Sequence, residues 1–154
     1  MLMSVALSLH LLSVVVWVGG MFFAYVFLRP VAAQLLDPPV RLTMWSRVFS
    51  KFFVFVWIAV ILLIGSGHGM ISFFGGMANV GKHVHIMFAL SYVMFLLVGH
   101  IYFASFKRLK LAVAISDWED AANRLNSMRK LIGINLSLGL ITIVVAGSGR
   151  FFLY

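Results

Sequence analysis

The chain has 154 residues, of which 63% are hydrophobic and only 10% charged, with no cysteine and a formal net charge of +8. So little polar surface cannot cover a soluble domain of this size, and the lack of cysteine excludes disulfides, thiolate nucleophiles and cysteine metal sites. The positive excess lies in short clusters without the basic and aromatic interleaving of a nucleic-acid surface, so it speaks for membrane orientation and anionic lipid headgroups, and not for nucleic acid.

Four apolar runs follow in chain order: Leu2 to Leu28, Phe52 to Phe74, Val84 to Phe106 and Leu131 to Tyr154. Each is long enough to cross hydrocarbon, which takes about 20 helical residues. The expectation is an all-α, integral membrane four-transmembrane-helix bundle, one domain over 1–154, with helices at about 2–28, 50–74, 82–112 and 128–153. The first run has no basic residue before Arg29, which favours a retained helix over a cleaved signal. Pro30 and Asp37-Pro38-Pro39 break the chain after it, leaving room for a turn or two of amphipathic helix. The glycines around His68 and at Gly75-Gly76 loosen the end of the second helix. Asp117, Glu119 and Asp120, three of the four acids, open a short polar cytoplasmic helix at about 117–127 between helices three and four.

Orientation follows from the basic residues. The first loop carries Arg29, Arg41, Arg47 and Lys51, the third carries Lys107, Arg108, Lys110, Arg124, Arg129 and Lys130, and the second loop and tail have only Lys82 and Arg150. Basic loops stay in the cytoplasm. The expected placement is therefore the bacterial cytoplasmic (inner) membrane, multi-pass, with both termini outside.

Histidine is costly inside or at the edge of a bilayer without a partner, so five in so apolar a chain are candidates for function. Counted from the basic residue at the inner end of each helix, His10 rises roughly 28 Å, His68 roughly 25 Å and His85 roughly 33 Å. His83 adjoins His85, and Arg150 comes to roughly 30 Å on helix four, beside the Lys82 level. At about 100° per residue His10 shares a stripe with Trp17, Met21 and Ala24, His68 with Trp57, Ile61 and Ile64, and His85 with Tyr92 and Gly99. His83 and His85 point about 200° apart, which puts His85 inward and His83 toward the headgroups. Helix four carries Asn135, Gly139, Thr142, Ala146 and Gly149 on one side, suited either to close helix approach or to a flat cofactor. Small-residue faces on helices one and four also allow a homodimer. His100 lies about 10 Å above Lys107, where a hydrogen bond to Asn135 or Tyr102 would satisfy it.

Histidines from several helices at one depth, with cations and no carboxylate nearby, suit two chemistries. One is a bis-histidine haem b, with His10 and His85 as axial ligands, His68 a third candidate, Trp17 on the wall, and Arg150 and Lys82 at the propionates. It would serve electron transfer with quinol or a periplasmic redox protein, which makes a membrane oxidoreductase one candidate. The other is copper bound or moved through His68, His83 and His85 with Met70, Met77 and Met87 close in sequence and exchanged with a periplasmic copper protein, the candidate metal ligands overall being His10, His68, His83, His85 and His100. A structural or assembly subunit without cofactor is the third reading. Zinc hydrolysis fits poorly, because no acid lies at that depth.

The stretches His10 to Phe23, with Trp17 and Gly20, His83-Val84-His85, His100 to Ala104, and Arg129 to Leu136 with Asn135 resemble the CopD family, named for the membrane component of bacterial copper resistance. The likeness covers essentially the whole chain, which looks like a short stand-alone member without the longer multi-helix body. A weaker likeness, through His10, Trp17, Gly20, His83, Val84 and Asn135, is to the haem-b-binding HemJ type of protoporphyrinogen oxidase. That family has lysine where His85 stands and Asn-Glu-x-Pro where this chain reads Asn135-Leu-Ser-Leu, so the porphyrinogen-oxidising activity does not carry over. A histidine in place of that lysine is what a second imidazole ligand to haem would need.

Overall fold

A computed structural model describes residues 1–152, the side chains of Arg150 and Phe152 excepted. It is all-helical, with four long helices: α1 (Leu2–Leu35), α2 (Pro38–Phe73), α3 (Lys82–Ala114) and α4 (Trp118–Phe152). All four are long and apolar enough to span a membrane.

The helices overrun the expected boundaries for local reasons. α1 continues through Pro30 because its turn over Phe23–Leu28 is already widened, so the amide that proline lacks and the carbonyl it crowds fall where the regular ladder is relaxed. α2 starts at Pro38, not near residue 50, since prolines at the first helical positions lose only amides that have no partner anyway. The separate polar helix expected at 117–127 does not exist: it is the first part of α4. Asp117 accepts a hydrogen bond from the Asp120 amide at 3.0 Å, Glu119 and Asp120 complement the helix dipole, and no glycine or proline interrupts the run from Trp118 to Ile132. Ser116 takes φ 59° to turn the chain before this cap.

α1 pairs with α2 and α3 with α4 as antiparallel hairpins, and α4 also touches α1 and α2 across the bundle. Trp17, Val56, Val98 and Ile101 fill the middle, with Trp17 stacked on Phe95 at 5.7 Å between ring centroids. Toward the basic end Phe49, Phe53, Tyr102 and Phe106 form one aromatic cluster. Leu96, Ile61, Val15 and Val144 point outward, more than 60% exposed (75%, 67%, 67% and 65%), as lipid-facing side chains do. The alternating chain direction places the start of α1, the end of α2, the start of α3 and the end of α4 at one end of the bundle. All the candidate histidines except His100 belong there.

Candidate metal centre

His10, half-buried on α1, meets α2: its Nδ1 lies 2.9 Å from Ser66 Oγ, and Gly67 lies against the ring. The Ser66 hydroxyl already donates to the Leu62 carbonyl, so the imidazole must donate and the serine oxygen accept. His10 therefore carries its proton on Nδ1 and an electron pair on Nε2. His85 Nδ1 lies 3.2 Å from the Gly81 carbonyl and His68 Nδ1 lies 2.8 Å from the Ile64 carbonyl. Carbonyl oxygens only accept, so both rings hold the same tautomer. His68 Nε2 accepts from the Tyr92 hydroxyl at 3.2 Å, while the His85 Nε2 has no hydrogen-bond partner among the described residues. An imidazole whose Nδ1–H is fixed on an oxygen and whose Nε2 is bare is the usual presentation of a histidine metal ligand.

His83 and His85 exchange the places expected from helix phase. His85 is exposed, whereas His83 is half-buried against α4, where a methyl group on Gly149 would come within 2.5 Å of the His83 Cβ. His83 Nδ1 is buried without a hydrogen-bond partner. α3 begins only at Lys82 and is rotated so that its Tyr92 and His85 stripe looks outward, Tyr92 being 41% exposed. The His68 stripe also faces out, with Ile61 and Ile64 exposed. The His10 stripe does turn inward: Trp17 and Met21 are buried. Lys82 is exposed at the start of α3, and the Arg150 side chain lies outside the described residues.

The small stripe of α4 faces in at Asn135, Gly139 and Gly149, whereas Ala146 is exposed, and its Asn135 is the most deeply buried polar residue described. Asn135 is 0% exposed, donates Nδ2 to the Met21 thioether at 3.6 Å, and leaves Oδ1 without a partner. The bonds expected between His100 and Asn135 or Tyr102 are absent. His100 faces outward, Asn135 is engaged with Met21, and the Tyr102 ring packs on Phe53 and Trp57.

The family described as Copper resistance protein D, CopD, matches residues 46–148. The chain belongs to the CopD family. The matched region contains His68, His83, His85 and His100 and leaves His10 outside it. No curated protein and no solved structure matches the chain.

The histidine end of the bundle is open. Among the described residues no three histidine or acidic side chains are gathered around a single metal position. Nor do His10 and His85 form a haem slot: one is directed into the α1–α2 interface, the other is exposed on α3. Bis-imidazole ligation needs two rings facing each other across a planar gap, and this pair does not supply it.

Proposed function

We propose that this CopD-family protein handles copper as cargo, taking up copper ions at the histidine end of the bundle. The bare Nε2 atoms of His10 and His85, each backed by an oxygen on Nδ1, carry the proposal. Family membership supports copper over other imidazole-binding metals. Half-buried Met70, Met77 and Met87 add thioethers at the same end, which favours the Cu(I) state. Farther in, Met94 and Met21 are buried soft donors on α3 and α1. Without a closed three-ligand cage, the metal is held by few protein groups and exchanges readily. The basic loops support an inner-membrane placement with the histidine end outside.

The test is Cu(I) competition against a chromophoric chelator with the full chain in detergent. Wild type should withdraw Cu(I), His10→Ala combined with His85→Ala should abolish this without changing helical content, and Ser66→Ala should weaken it about tenfold. Failure of the wild type to compete would overturn the proposal. So would a haem absorption band in the purified, dithionite-reduced protein that His10→Ala removes.

A further inference from the structure

A recess at the other end of the bundle contains no histidine. Arg29 from α1, Arg41 from α2 and Arg129 from α4 ring a cavity of about 270 Å³, with Tyr25, Trp45 and Asn126 completing its wall. All three arginines are half-buried. Arg29 lies over the Tyr25 ring at 5.2 Å, and Arg41 makes only long contacts to the Ala33 and Leu36 carbonyls, at 3.4 and 3.5 Å. Among the described residues the one ion pair is Arg124–Asp120, so none of the three has a carboxylate partner.

Three guanidinium groups from three helices, sharing one recess without a counter-ion, repel one another and are partly stripped of water. An anion in the recess relieves both costs, and the planar fork of arginine matches phosphate oxygens in pairs. Tyr25 also borders a second feature, an open groove between α1 and α4 lined by Phe22, Val26, Ile134 and Leu140, with exposed Lys130 at its edge. A cationic recess continued by an apolar groove suits an anionic amphiphile, not a free ion.

We propose that the arginine cavity binds an anionic phospholipid, its phosphate among Arg29, Arg41 and Arg129 and one acyl chain along the α1–α4 groove. Basic recesses between transmembrane helices recognise acidic headgroups in this way. The site is independent of copper, so the two proposals stand or fall separately. The bound lipid joins the α1–α2 turn to α4, the helices whose charges otherwise push them apart.

Native mass spectrometry of the full chain, released from detergent with added phosphatidylglycerol or phosphatidylcholine of the same chain length, tests this. Phosphatidylglycerol should be retained about tenfold more strongly. Arg41→Gln with Arg129→Gln should erase the preference, whereas Arg108→Gln with Lys110→Gln, which removes equal charge from exposed positions, should preserve it. Equal retention of the two lipids, loss of preference in both double variants, or displacement of the lipid by equimolar inorganic phosphate would each overturn the proposal. Should the arginine variant not fold, the wild type still decides. Its thermal midpoint should rise with phosphatidylglycerol and not with phosphatidylcholine, and no rise refutes the site.

Discussion

The two ends of the bundle are built on different physics. Beyond the basic boundary α3 and α4 run on together, and Leu109, Ala121 and Met128 between them are 0% exposed while Lys107, Arg108 and Lys110 stay at the surface. This is the pattern of a water-soluble helical hairpin, where burial of apolar surface drives assembly. At the histidine end Leu2, Val5, Leu7 and Leu9 of α1 are exposed, and the polar groups of Ser13, Ser148 and His68 bond to carbonyls four residues back in their own helices. Surrounded by lipid, such helices gain nothing from hiding leucine and associate only through close packing and hydrogen bonds. Stability is therefore concentrated at one end and candidate ligands at the other. Ligand side chains on thinly packed helices can move to meet a metal without disturbing the fold.

The largest expected effect follows from that division. Leu109→Ala or Met128→Ala should cost about 2–5 kcal/mol, because the water-exposed hairpin loses buried side-chain volume and keeps a cavity. Leu7→Ala, at a side chain 46% exposed, should leave the thermal midpoint nearly unchanged. Tryptophan-monitored melting in detergent reads both. Equal losses at the two ends would break the comparison.

Much of this architecture is legible in the sequence, and the misses have local causes. Hydropathy predicts four spans, and four helices are found, because a chain in hydrocarbon must satisfy its backbone internally. Boundaries failed at Pro30 and Pro38, where a widened turn and a helix start absorb the missing amide. The histidine end was readable as a level, since depth depends only on rise per residue. Facing was not: helix phase shows which residues share a stripe but not which way the stripe points, and the rotation of α3 goes with how closely Gly149 lets His83 approach. The Asn135–Met21 contact and the arginine cavity join residues more than 80 positions apart, Arg41 to Arg129 for example, and no local pattern announces them.

A smaller effect is expected where the histidine end does have a rigid point. Gly75 and Gly76 take φ values of +85° and +98° in the turn that links His68 to His83, and a Cβ on Gly75 would stand 2.7 Å from the Asn79 Nδ2. Asn79 in turn donates to the Gly75 carbonyl at 3.0 Å. Gly75→Ala should cost about 1–2 kcal/mol through the left-handed backbone. Because this turn sets the spacing of α2 and α3 at the proposed copper site, Cu(I) affinity should fall by more than the stability loss alone implies. An unchanged affinity would show that His10, seated on Ser66 of α2, and His85 of α3 do not act together.

The smallest effect is expected at the surface of the stable end. Arg124 and Asp120 form an i,i+4 pair at 3.0 Å, with side chains 36% and 39% exposed. Water screens such a pair, so Asp120→Asn should cost about 0–1 kcal/mol, with the remaining change shrinking further in high salt. A loss as large as that of Leu109→Ala, and abolished by salt, would mean that the basic hairpin is held by charge and not by its apolar seam. In that case the ends would differ in electrostatics, and the surface charges of α4, not Leu109 and Met128, would decide whether α3 and α4 stay together.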